Sequence, residues 1–242
     1  MTTCPGRPRL GPSLASAAIL LATAPAQAIQ GGAPARAGDA LAQATAAVGT
    51  VLQPGEDLKV SQCTGVLIGR SRVMTAAHCV RDSPVGALVV FYRGSRPAGP
   101  AYSVASVSRY AIGGALPTGD FGANLAALIL DVAVLRLTEP VRDRRPIPLA
   151  RRGGRPPATL ELAGIGLSGN APGMLRTTLL RPIAVSESGL TIARAIGSLV
   201  CIGDSGGPVV ERGRGVRLWG VASAVITSQP PCGDIVVIAP AT

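Results

Sequence analysis

Short runs of β-branched and aliphatic residues recur along this chain, each bounded by glycine, proline or polar positions. They fall at Val48–Leu52, Gly65–Ile68, Leu88–Tyr92, Tyr102–Val107, Val132–Leu137, Thr159–Ala163, Val216–Ala222 and Ile235–Ile238. Segments of this length, broken by turn residues, predict the strands of an all-β sandwich or barrel. No long stretch carries the apolar period of an amphipathic helix. Asp120–Leu130 reads as either a short helix or a loop.

A chain of 242 residues is one domain or two small ones, and it is long enough to bury a large core. Aromatic residues make up only 2% of it, so that core rests on Val, Leu, Ile and Ala. Gly 31 and Pro 21 make the chain turn-rich without making it low-complexity. Its net charge is +10, almost all from arginine. Arg142, Arg144, Arg145, Arg151, Arg152 and Arg155 crowd residues 142–156 together with Pro146, Pro148 and Pro156. This segment reads as a solvated linker, the sharper alternative being a polyanion-binding patch. It has no interleaved aromatics, which argues against nucleic-acid stacking, and no nucleic-acid partner is expected.

Residues 1–28 read as a secretory signal peptide. Arg7 and Arg9 open it, Leu14–Thr23 is a short apolar stretch, and Ala26-Gln27-Ala28 is a small-x-small cleavage site. The alternatives are a signal anchor or a disordered tail. The apolar stretch is too short to span a bilayer. Removing the segment takes away Arg7 and Arg9 and lowers the net charge from +10 to +8. No later segment has an uninterrupted apolar run of spanning length, so no membrane span is expected after processing. Cys4 falls in the signal, leaving Cys63, Cys79, Cys201 and Cys232. An even count in an exported chain suggests two disulfides, with three connectivities open. The expected location is extracytoplasmic, secreted or periplasmic.

Three segments carry candidate chemistry. His78, in Thr75-Ala76-Ala77-His78-Cys79, is the only histidine, so a general base working near neutral pH is either this residue or not a histidine. Ser205 lies in Cys201-Ile202-Gly203-Asp204-Ser205-Gly206-Gly207-Pro208, where glycines allow a sharp turn and leave amides free. Asp131 heads the alternating run Val132–Leu137. A serine hydroxyl needs an adjacent base to become a nucleophile, and the base needs a carboxylate to hold its tautomer. Each residue alone has a bland reading, as a turn or a surface acid. Their joint occurrence in the order His, Asp, Ser favours the chemical one.

These strings resemble the trypsin/chymotrypsin family of serine proteases over most of the chain after residue 28. Cys63-Thr64-Gly65-Val66-Leu67-Ile68 is similar to the family's strand before the histidine. Ala163-Gly164-Ile165-Gly166 is similar to its Gly-Trp-Gly segment, and Gly220-Val221-Ala222-Ser223 to its substrate-binding strand. The resemblance implies two packed antiparallel Greek-key barrels with the active site between them. The first spans about residues 29–141, followed by the linker at about 142–156 and the second barrel at about 157–242. It implies a catalytic triad of His78, Asp131 and Ser205, with the amides of Gly203 and Ser205 as an oxyanion hole. It selects Cys63–Cys79 and Cys201–Cys232 as the disulfides. It also implies that the α-ammonium of Ile29, released by a cut after Ala28, inserts beside Asp204. Gln30 departs there from the family's usual valine.

The resemblance further places Leu199, Val200, Ser223 and Val225 at the specificity pocket. Leu199 stands where trypsin-like members carry an aspartate, and Val225 would narrow the pocket mouth. Small or medium apolar residues before the scissile bond are therefore expected. Asp234 is either on the pocket wall, where it would attract Arg or Lys, or a turn acid before Ile235–Ile238. The expected activity is that of a secreted serine endopeptidase acting on proteins or peptides as a monomer, with neither cofactor nor metal. The alternatives are a non-catalytic polyanion- or membrane-binding protein on the same fold, and an esterase using the same triad.

Overall fold

The computed structural model describes residues 28–53, 59–80, 86–109, 127–151, 155–168, 171–227 and 231–241. The expected signal segment up to Gln27 lies outside them. Seventeen strands run in the order β1 (Ala33–Pro34), β2 (Thr45–Gln53), β3 (Lys59–Gly69), β4 (Arg72–Thr75), β5 (Ala87–Arg93), β6 (Arg96–Arg109), β7 (Ala133–Leu137), β8 (Leu160–Gly164) and β9 (Leu167–Ser168), then β10 (Ala171–Pro172), β11 (Arg176–Val185), β12 (Thr191–Ala195), β13 (Val200–Cys201), β14 (Pro208–Arg212), β15 (Val216–Ile226), β16 (Cys232–Gly233) and β17 (Ile235–Pro240). One five-residue helix, α1 (Ala40–Ala44), is capped by Asp39, whose carboxylate accepts the Leu41 amide at 2.8 Å. Among the described residues no helix is long and apolar enough to cross a membrane.

Strands β2-β3-β4-β7-β6-β5 close into one antiparallel barrel. Alternation explains the closure. In β7, Ala133, Leu135 and Leu137 face inward and are buried, while Arg136 faces solvent. The second barrel is β11-β12-β17-β15-β14-β8, closed by the β8–β11 pairing. Each barrel has its own aliphatic core, one around Leu67, Val73 and Leu135 and the other around Leu160, Leu162, Leu180 and Ile238. Burying one such side chain contributes about 1.5–3 kcal/mol, which lets aliphatics alone carry the fold. Phe91 and Tyr92 are the largest buried side chains, and Phe91 meets Tyr102 edge-on at 5.6 Å.

The start of the described chain packs on the second barrel. Ala33 and Pro34 pair with Thr177 and Arg176, Gln30 bridges Leu199, and Ile29 is buried in the second core. The two barrels are further joined by polar bonds. The Tyr92 hydroxyl donates to the Gly173 carbonyl at 2.8 Å. Arg212, from β14, reaches both Glu161 and the cap residue Asp39.

All eight sequence-predicted segments fall on strands, but β4, β11, β12 and β14 were not foreseen. β11 carries arginines and Pro182, which read as breaks. Pro182 sits at a register shift against β12, where a strand tolerates the missing donor. Residues 127–129 are helical at the end of the ambiguous Asp120–Leu130 segment; residues 120–126 lie outside the description.

Within the segment expected to be a solvated linker, Arg142, Arg145, Arg151 and Arg155 are exposed, and Arg144 is the one described arginine that departs from that expectation. Its side chain is only 6% exposed. It donates to the carbonyls of Gln43, Tyr92 and Ala98 and lies 5.1 Å above the Phe91 ring. The planar fork satisfies several acceptors at once, so the charge tolerates burial, although burial still holds its pKa below the ordinary arginine value. Backbone bonds from Val141 and Ile147 to the first barrel, and from Ala150 to the second, pin the same segment. Arg144→Ala is therefore expected to cost about 2–4 kcal/mol in urea denaturation, because it strands buried carbonyls. The exposed neighbour variant Arg145→Ala should stay within about 0.5 kcal/mol.

Candidate active site

His78 and Asp131 are delivered by two neighbouring strands of the first barrel. β4 runs directly into the short 3-10 turn Ala77–Cys79, and β7 begins just after Asp131. Thr75 pairs with Ala133, so the ends of β4 and β7 that lead to these residues lie side by side. Asp131 Oδ1 accepts the His78 backbone amide at 2.9 Å and Oδ2 lies 2.8 Å from His78 Nδ1. The Ser223 hydroxyl also donates to Oδ2. The Asp131 side chain is 10% exposed and that of His78 43%. Burial pushes the Asp131 carboxyl up, but the hydrogen bond and charge of His78, with the Ser223 hydroxyl and the His78 amide, outweigh it and leave it below the usual aspartate value. The carboxylate thus fixes Nδ1 as the donor and leaves Nε2 facing outward.

Ser205 comes from the second barrel, in the turn between β13 and β14. Cys79 Sγ lies 3.8 Å from His78 Nε2 and 3.8 Å from the Ser205 carbonyl oxygen, so one sulfur borders both the imidazole and the serine turn, while among the described residues the Ser205 hydroxyl makes no hydrogen bond to His78. Thr64 fastens this turn to the first barrel. Its amide donates to the Ser205 carbonyl at 2.8 Å, its hydroxyl donates to the Gly203 carbonyl at 2.8 Å, and the Ile165 amide donates back to that hydroxyl. The turn is tight enough to require glycine at 206. There φ is +78° and a Cβ would lie 2.1 Å from Thr75 Oγ1 and 2.2 Å from the Thr64 carbonyl oxygen. Around Ser205 the amides of Asp204, Gly206 and Gly207 are all bonded within the protein. Among the described residues, those of Gly203 and Ser205 have no protein acceptor. Two unspent amides beside a nucleophile are suited to a developing oxyanion.

Asp204 is fully buried and collects three amides from three separate segments, those of Ile29 at 3.1 Å, Gly166 at 2.9 Å and Cys201 at 2.8 Å. Gly164 makes room for it, since a Cβ there would lie 2.2 Å from Asp204 Oδ1. Ile29 is held with φ +29°, a conformation uncommon for a β-branched residue. Desolvation raises the Asp204 pKa to about 6 even though the three amides pull it down.

A cavity of about 80 Å³ opens beside Ser205, lined by Val200, Cys201, Ala222, Ser223 and Val225 among others. Leu199 and Asp234, the other two pocket candidates, are not in its lining. Leu199 makes a backbone bridge to Gln30 and is exposed, and Asp234 faces Arg194 at 3.4 Å, both of those side chains being exposed. The disulfides are Cys63–Cys79, under the histidine turn, and Cys201–Cys232, joining β13 to β16 at the cavity wall. Cys63, His78 and Cys79 place ligand-type atoms within 4.8 Å of one another, but the two sulfurs are bonded together and offer no thiolate to a metal. Sequence reasoning gave Thr64 no separate role and assigned Ser223 only to the pocket. Neither residue type signals long-range bonding in a sequence.

A family model for trypsin matches residues 29–240. Among solved structures, the chain is similar to HL collagenase, with a TM-score of 0.65 at 21% identity over 88% of this chain and 93% of that one. It is also similar to the scabies mite inactivated protease paralogue S-I1, with a TM-score of 0.65 at 23% identity over 87% and 93%. No curated protein matches the sequence.

The Asp204 environment predicts a pH signature. Its folded pKa, about 6, lies above the ordinary 3.8, so its contribution to stability is fully present below about 3.8 and is lost as pH rises through about 6. This holds while Ile29 presents a peptide amide. In a chain beginning at Ile29, an α-ammonium held where the Ile29 amide now lies, 3.1 Å from the carboxylate, would favour its charged form. Urea midpoints of the two forms should therefore diverge between pH 4 and 7, the longer chain weakening. Parallel profiles would contradict this account.

Proposed function

We propose that this chain, which belongs to the trypsin family, is an exported serine endopeptidase that cleaves through an acyl-enzyme on Ser205. The observation that carries the proposal is the buried Asp131 carboxylate bonded to both the ring and the amide of the sole histidine, with Cys79 Sγ 3.8 Å from His78 Nε2 and 3.8 Å from the Ser205 carbonyl. In this reading His78 Nε2 takes the Ser205 hydroxyl proton as Oγ attacks the substrate carbonyl. The carbonyl oxygen gains the negative charge, and the free amides of Gly203 and Ser205 stabilise it. The imidazolium, held by Asp131, then returns the proton to the leaving amine. A water molecule repeats the sequence on the ester and frees the serine.

The small cavity narrowed by Val225 supports small or medium apolar side chains before the scissile bond. The outward ion pair of Asp234 with Arg194 supports reading that acid as a turn residue rather than a specificity determinant. The Asp204 contacts support a processed N-terminus at Ile29, whose ammonium would replace the amide now 3.1 Å from the carboxylate. Four half-cystines joined in two disulfides support an oxidising, extracytoplasmic compartment. One relative in fold is titled an inactivated protease paralogue, so fold alone does not decide catalysis.

Digestion of a mixed peptide library by protein starting at Ile29 tests the proposal. Cuts should follow Ala, Val or similar residues, and Ser205→Ala or His78→Ala should lower kcat/KM by about 10⁴-fold or more. Val225→Gly should shift preference toward larger apolar residues by about 10-fold or more. Library cleavage that persists in Ser205→Ala, or its absence in folded wild-type protein, would overturn the assignment.

A further inference from the structure

The outer wall of the first barrel carries a cleft of about 430 Å³ lined by Ser71, Arg72, Ser106, Ser108, Val134 and Arg136. Its floor is a row across three strands. Arg72 on β4 is directly opposite Arg136 on β7, and Arg136 is directly opposite Ser106 on β6. Like charges directly opposite on one sheet face destabilise the pairing of their strands. Both arginines are exposed, and among the described residues neither has a carboxylate within ion-pair distance. The cleft thus combines two unneutralised guanidiniums in register with three serine hydroxyls.

That donor set matches one ligand chemistry. Guanidinium forks bind the oxygens of phosphate or sulfate in pairs, and hydroxyls complete the shell around a tetrahedral anion. We propose that this cleft is a binding site for a tetrahedral oxyanion, phosphate or sulfate, either free or carried as an ester on a small polar molecule. The anion bridges Arg72 and Arg136 and replaces their repulsion with a shared counter-charge. The strands it joins are those that lead into the His78 turn and begin after Asp131, with the last pair, Thr75–Ala133, three residue pairs away. Occupancy therefore reinforces the β4–β7 pair that carries both residues, without touching them.

Melting of the purified protein in low-millimolar sodium sulfate tests this against sodium chloride at equal ionic strength. Sulfate at ten times its Kd should raise the melting temperature by about 3–6 °C, saturably. Arg72→Gln/Arg136→Gln should abolish the rise, and without sulfate it should melt no lower than wild type. A sulfate shift retained in the double variant would reveal general salt exclusion and overturn the proposal, as would no shift in wild type. Calorimetric titration with inorganic phosphate and with glucose 6-phosphate then separates the sources. Tighter binding of the sugar phosphate assigns the site to an ester, and tighter binding of the inorganic ion assigns it to a free anion. No heat from either ion in wild type would also overturn it.

Discussion

The buried carboxylate of Asp204 is the constraint on which the rest of the site depends. A charge-bearing group with no access to water must be met by donors, and here they come from the beginning of the described chain, from the turn after β8 and from the Cys201 strand. Each contact fixes a different part of the molecule. Together they hold the backbone from Cys201 to Ser205 in the one arrangement that leaves the amides of Gly203 and Ser205 unspent. The geometry of the nucleophile is thus set from behind, by an acid that does not face the cleft.

The two barrels contribute unequally. The first supplies His78 and Asp131 on adjacent strand ends, a pairing made rigid by the sheet itself. The second supplies Ser205 on a turn whose shape is set by glycines and by Asp204. Between them Thr64 acts as a hinge pin, using its amide and hydroxyl on the serine turn while its carbonyl accepts the Thr75 hydroxyl at 2.7 Å. With so few aromatic side chains, the alignment of the barrels rests less on interdigitated rings than on such polar bonds and on the Tyr92–Gly173 contact.

Much of this was legible in the chain. A strand with alternation, such as β7, announces itself because one face is buried and the other wetter, and β5 does so as a short apolar run. The motifs around His78, Asp131 and Ser205 stand out because unusual residue types occur in a fixed order, and the structure brings those three segments together. What escaped has physical reasons. β11 hides behind Pro182 and arginines whose tolerance depends on a bulge and on solvent that only the fold reveals. Arg144 looks identical to its five neighbours in the Arg-rich segment, yet it alone is shown with three carbonyls and a ring arranged around it. Leu199 was placed at the pocket by resemblance and Asp234 either there or at a turn; neither lines the small cavity beside Ser205, Leu199 being bridged to Gln30 through its backbone and Asp234 paired with Arg194. Long-range polar partners leave no trace in local pattern.

The position of β1 has a consequence for how the chain reaches its native state. Ile29, Gln30, Ala33 and Pro34 find their partners at Asp204, Leu199, Thr177 and Arg176, so the segment emerging first is completed by segments made more than 140 residues later. Such sequence separation raises contact order and slows the search for the folded topology. The first barrel has a core of its own and is able to collapse early, but the leading residues remain without their sheet neighbours until the second barrel closes. The edge that β1 adds to the second barrel is therefore completed only after β11 has found its own place in that sheet.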